Sequence, residues 1–172
     1  VNKKEVSVVW ANTAFVYNGK DQTAAIEAKF EDINGEDIFL DVDVTGGKFK
    51  NAGTYTVTAS LKEDYAKNYA ISSGNTNSYT IAAKNISGAA VELGDALIYN
   101  GKNQTQTVKK VTIDGLEATY TVSGNVQKEV GTYTLTVTGT GNFSGTATKQ
   151  FVIIPDKNYH YKVNKYGDIE IG

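Results

Sequence analysis

Cysteine and methionine are absent from this 172-residue sequence, and proline, histidine and tryptophan occur once each. Without cysteine there can be no disulfide, no thiolate nucleophile and no cysteine-held zinc. A Ser-His-Asp triad would have to use the one histidine, His160, which lies near the C-terminal end. No apolar run approaches the roughly 20 residues that cross a bilayer as a helix. The 17 basic and 19 acidic residues give a net charge of −2 and are interspersed, so there is no basic stripe for nucleic acid. The opening residues Val1 to Glu5 are polar and no signal peptide begins the chain. The expectation is a mature piece of a longer protein, with any targeting segment removed.

What the chain does have is repetition. Tyr17-Asn18-Gly19-Lys20-Asp21-Gln22-Thr23 returns as Tyr99-Asn100-Gly101-Lys102-Asn103-Gln104-Thr105. Gly53-Thr54-Tyr55-Thr56-Val57-Thr58 returns as Gly131-Thr132-Tyr133-Thr134-Leu135-Thr136. The offset shrinks along the chain, from 82 residues at Tyr17/Tyr99 to 78 at Gly53/Gly131 and 72 at Tyr79/Phe151. Copy one therefore carries extra residues, spread over several connections, as surface loops permit. Repeats at this length mean one folded unit used in series.

The matched segments alternate with period two. Tyr55, Val57 and Ala59 share one face, against Thr54, Thr56 and Thr58. Tyr133, Leu135 and Val137 repeat the pattern, and Ile38, Leu40, Val42 and Val44 alternate with Phe39, Asp41 and Asp43. Such alternation reads as half-buried antiparallel strands. Asn18-Gly19, Asn34-Gly35, Asn100-Gly101 and Asp114-Gly115 supply the positive φ of tight turns. The reading is all-β, with six or seven short strands per copy forming a sandwich of two sheets. Its divisions are 1–83, 84–155, and a tail at 156–172 that matches neither copy and reads as a hairpin or the start of another module. Trp10 and the recurring tyrosines are read as core or corner residues. Leu61 to Ala70 is read as a loop with one turn of helix.

The Tyr-Asn-Gly-Lys-x-Gln-Thr turn, the Gly-Thr-Tyr-Thr-Val/Leu-Thr strand, and Gly141-Asn142-Phe143-Ser144-Gly145 before a Phe-Val-Ile strand resemble bacterial surface immunoglobulin-like repeats of the MBG/YDG type. The resemblance covers about 150 residues, and copy one departs from it after Leu61. It implies two tandem immunoglobulin-like antiparallel β-sandwiches in a secreted or cell-surface protein, serving as a spacer or stalk, as in adhesins. It carries no catalytic residues to transfer.

The remaining chemistry is thin. No catalytic set, cofactor motif or phosphate loop is present, and the chain reads as non-enzymatic. Asp32, Asn34, Glu36 and Asp37 cluster at a turn and offer oxygen ligands for calcium, but copy two has only Asp114 and Glu117 there. A polar turn explains the cluster as well. Among the eleven tyrosines, Tyr65 and the tail residues Tyr159, Tyr161 and Tyr166 fall outside the repeated scaffold. Exposed, they would suit a glycan or host-protein surface, since such rings join a large apolar face to a polar tip. The expected partners are thus a cell-surface glycan or protein, with no nucleic acid, no membrane span in this stretch, and a monomeric chain.

Overall fold

Alternation in the sequence becomes strands throughout. The computed structural model describes residues 2–31, 34–158, 162–163 and 169–170. The chain is all-β, made of several small antiparallel and mixed sheets, with one helical turn among the described residues (α1, Glu63–Ala66). It divides into two compact units. Unit 1 comprises Val1–Lys84 and Gly141–Phe143; unit 2 comprises Asn85–Thr140 and Ser144–Gly172.

In unit 1 the strands are β1 (Lys4–Ala11), β2 (Ala14–Val16), β3 (Gln22–Thr23), β4 (Ala25–Glu31), β5 (Asp37–Leu40), β6 (Val42–Thr45), β7 (Lys48–Phe49), β8 (Gly53–Leu61), β9 (Tyr69–Ser73) and β10 (Thr76–Ala82). One sheet has the order β5-β4-β1-β9, another β2-β10-β8-β6, and β3 pairs with β7 as a short arm. The chain changes sheets at Asp41. Leu40 pairs with Ala28 of β4, while Val42 pairs with Leu61 of β8.

Two apolar clusters fill unit 1. Val6, Val8, Ala28, Leu40 and Ala59 form one, and Ala24, Val57, Tyr79 and Ile81 form the other. Trp10 packs against both, half-buried, and its indole N–H donates to Gly74 O at 2.6 Å. Each fully buried Val, Leu or Ile contributes about 1.5–3 kcal/mol relative to exposure.

Two further short strands are β11 (Lys84–Asn85) and β20 (Phe143–Ser144). Unit 2 repeats the scheme with β12 (Ala90–Leu93), β13 (Leu97–Ile98), β14 (Gln104–Thr105), β15 (Val108–Ile113), β16 (Leu116–Glu117), β17 (Tyr120–Ser123), β18 (Val126–Gln127), β19 (Gly131–Gly139) and β21 (Thr146–Ile154). Its sheets run β12-β15-β16 and β13-β21-β19-β17, with β14–β18 as the arm. Ile86, Val91, Val111, Leu135, Val137, Phe151 and Ile153 are buried. In the tail, β22 (Lys162–Val163) pairs antiparallel with β23 (Ile169–Glu170).

Local bonding matches copy for copy. Asn18 Oδ1 accepts from Lys20 N–H at 2.9 Å, and Asn100 Oδ1 from Lys102 N–H at 3.0 Å. Gln22 Nε2 donates to Val16 O at 3.0 Å, and Gln104 Nε2 to Ile98 O at 2.7 Å. Gly46 and Gly124 both take positive φ, 74° and 73°, and a Cβ on either would press on a backbone carbonyl, Thr56 O or Thr134 O, at 3.0 Å.

Three features depart from the sequence reading. The sheets are mixed, because β1–β9, β2–β10 and β13–β21 pair in parallel. Residues 69–73 form a strand that begins in the stretch read as a loop, and copy one extends it to five residues along β1 where the matching β20 of copy two has two. Ile38, expected inside, is 37% exposed because β5 is the edge of its sheet and has a neighbour on one side only.

Candidate functional site

A hollow of about 330 Å³ opens in unit 1, lined by Asn2, Lys3, Lys4, Phe30, Lys67, Asn68 and Tyr69. Parallel pairing of β1 with β9 and antiparallel pairing of β1 with β4 bring these together. Lys4 lies opposite Tyr69 in that register, and Lys4 N–H donates to Asn68 O at 2.8 Å. The single turn of α1 delivers Lys67 and Asn68 to the rim, and Asn68 N–H closes that turn on Tyr65 O at 3.1 Å. Phe30, at the far end of β4, forms a wall.

Aromatic faces and ammonium groups dominate the chemistry. The Phe30 and Tyr69 ring centroids are 5.5 Å apart, and Lys4 Nζ sits 5.3 Å from the Phe30 centroid. That is cation–π range, contributing about 0.5–1 kcal/mol at an exposed site. Lys3 Nζ donates to Ala66 O at 2.5 Å, which steadies the last residue of α1. Among the described residues the lining carries three lysines and no carboxylate. A hollow so made attracts an anion and offers ring faces to an apolar or sugar surface.

The sequence-named residues are distributed as follows. Tyr65 is half-buried and packs on the Val6/Val8 cluster, with its ring centroid 6.4 Å from Tyr69. Tyr69, not Tyr65, lines the hollow. Tyr159, Tyr161 and Tyr166 lie outside the described residues, as do Asp32 and His160. Asn34 and Glu36 are exposed, and Asp37 pairs with Lys29 at 2.7 Å. Among the described residues no group of three His, Cys, Asp or Glu side chains could hold a metal ion. No described helix is long and apolar enough to cross a membrane.

Sequence reasoning missed Lys3, Lys4, Phe30, Lys67 and Asn68. Their signal was faint: a Lys3-Lys4 pair and a Lys67-Asn68-Tyr69 triplet, 64 positions apart.

A second polar feature also went unread. Gln106 is buried, with its amide nitrogen 3.3–3.4 Å from Gly94 O, Asp95 O and Thr107 O. Its backbone N–H donates to Asn125 O at 2.8 Å, and Asn125 Nδ2 returns a bond to Gln106 O at 3.1 Å. Copy one has Ala24 bonded to Gly47 O at this place, so the pair is a packing solution particular to unit 2. The chain matches no protein-family model, no curated protein and no solved structure.

Proposed function

We propose that this chain is a structural spacer or stalk segment of a bacterial cell-surface or secreted protein, such as an adhesin. Each unit is an immunoglobulin-like sandwich of the MBG/YDG type, non-catalytic and monomeric in dilute solution. The observation that carries this reading is the matched end clamp. Tyr17 N–H donates to Ala82 O at 2.8 Å, joining the end of the second strand of copy one to the end of its last, and Tyr99 N–H donates to Ile154 O at 2.9 Å in copy two. Both close a parallel pair, β2 with β10 and β13 with β21. Pulling on the two ends of a parallel pair shears it, so its hydrogen bonds are loaded together rather than one at a time. That geometry suits a segment that transmits force.

The sandwich assignment has its own support. Tyr55 Oη donates to Asn51 O at 2.8 Å and Tyr133 Oη to Glu129 O at 2.9 Å, the corner bond found in such sandwiches. Single-molecule pulling tests the spacer role. A spacer gives two separate unfolding events, and replacing Ile81 with proline inside the first clamp lowers the force of one of them only.

The lysine-lined hollow favours a second reading, a binding module for an acidic glycan on a cell surface. Three lysines in a lining that also holds Phe30 and Tyr69, with Lys4 Nζ over the Phe30 ring, suit a carboxylated or sulfated sugar. A glycan array with the wild type and Tyr69→Ala tests it. Specific binding lost in the variant would replace the spacer reading.

A further inference from the structure

Unit 1 contains a three-residue tip from the second copy, Gly141–Phe143, which is held at three points. Ala52 N–H donates to Asn142 Oδ1 at 2.7 Å, and Asn142 Nδ2 donates to Asn51 Oδ1 at 3.1 Å. Tyr17 meets the Phe143 ring edge-on, with centroids 5.4 Å apart, and Phe143 is buried. The socket is thus Tyr17 and the Asn51–Ala52 turn. The Tyr55 hydroxyl fixes that turn by its bond to Asn51 O.

Both halves of this contact occur a second time. The tip's counterpart in copy one is Lys67-Asn68-Tyr69, with Lys67 at φ −68° where Gly141 has φ 62°, and there Lys4 N–H donates to Asn68 O as Lys84 N–H donates to Asn142 O, at 2.8 and 2.9 Å. The turn of the socket recurs as Glu129–Val130 in copy two, fixed by Tyr133 Oη on Glu129 O. The states of the two tips differ. Asn142 is half-buried and Phe143 buried, whereas Asn68 is exposed and Tyr69 half-buried at the hollow. Val130 is 45% exposed.

We propose that the Lys67–Asn68–Tyr69 tip docks on the Glu129–Val130 turn of a second copy of this chain. Asn68 Oδ1 accepts from Val130 N–H as Asn142 Oδ1 accepts from Ala52 N–H. Asn68 Nδ2 donates to the Glu129 carboxylate, a stronger acceptor than the Asn51 amide oxygen that serves Asn142. Charge matches as well. Lys3, Lys4 and Lys67 line the same hollow as Asn68, and Glu129 supplies the opposite sign on the turn. The exposed pair of Glu129 with Lys128, at 3.8 Å, is too weak to compete. The contact is small, so it is weak between free molecules, with a dissociation constant on the order of 1 mM. It becomes effective only when copies are held close, as effective concentration dictates. This docking stands apart from the spacer role, because it concerns the chain meeting itself.

Amide NMR spectra of the full chain, recorded on dilution from about 1 mM to about 20 µM, test it. The expected result is concentration-dependent shifts at Asn68, Tyr69 and Val130 that fit one dissociation constant, weakened at least tenfold by Asn68→Ala. Lys67→Glu weakens the contact too, and mixing that variant with Glu129→Lys restores it, which a merely structural effect would not do. The spectra report folding of every variant directly. Absence of shifts on dilution, or shifts confined to other surfaces, overturns the proposal. So do shifts at the tip that appear only on adding a sulfated oligosaccharide.

Discussion

Replacing Tyr79 with phenylalanine should stabilise unit 1. Tyr79 is wholly buried, and its hydroxyl has no hydrogen-bond partner. Its ring packs among Phe15, Phe49 and Tyr55, with centroids 5.1, 5.8 and 6.3 Å away, and none of these contacts needs the oxygen. A buried polar group without a partner costs about 1–3 kcal/mol. The repeat points the same way, for copy two has Phe151 at this place, packed against Tyr133 at 5.7 Å. Removing the hydroxyl should raise stability by about 1–2 kcal/mol, with roughly 4–8 °C in melting temperature for each kcal/mol in a unit of this size.

A pH signature separates this from a general packing gain. Burial, and then the neighbouring Tyr55, push the Tyr79 phenol above its ordinary value of 10.0. Above that pH the unfolded chain loses this proton while the folded chain keeps it, so stability falls as pH rises. The slope reaches at most about 1.4 kcal/mol per pH unit. Below it Tyr79 is neutral in both states and contributes no slope. Tyr79→Phe should flatten the alkaline limb and leave the neutral region parallel to the wild type. Urea unfolding followed by fluorescence gives both readings, because the single tryptophan, Trp10, lies in unit 1. A variant less stable by about 1 kcal/mol or more, or an unchanged alkaline slope, would refute the reasoning.

Gly74→Ala should destabilise unit 1 by more than about 2 kcal/mol in urea unfolding, because Gly74 has φ +77° and a Cβ there would collide with Val8 O. Gly35→Ala, at φ +80° with nothing within 4 Å, should cost only about 1 kcal/mol in the same assay. Gln106→Ala should lower unit 2 by about 1–2 kcal/mol, since it removes the donor facing Gly94 O, Asp95 O and Thr107 O. Trp10 fluorescence should stay silent while far-ultraviolet circular dichroism reports that loss.

Much of the scaffold was legible because its information is local. Val57, Ala59, Leu135 and Val137 alternate with threonines, and all four are buried as the alternation requires. The Asn-Gly turns declare themselves through residues two positions apart. The parallel pairings were not legible, because β1–β9 and β2–β10 join segments more than 60 residues apart and leave no local pattern. The strand at Tyr69–Ser73 was hidden by the helix-forming composition just before it, which yields only the single turn of α1. The hollow escaped for the same reason as the pairings. Its residues come from three stretches that the β1–β9 and β1–β4 pairings bring together. Tyr65 looked exposed because it stands outside the repeated motif, yet it packs on the Val6/Val8 cluster through α1.

Stretching single molecules of the chain from its two ends tests most directly whether these are force-bearing units clamped at matched ends. Two distinct unfolding events are expected, each releasing roughly 20–28 nm of chain at about 3.5 Å per residue. Ile81→Pro should weaken one of them and leave the other untouched. A single event releasing the whole chain at once, or extension without any resisted step, would contradict the account.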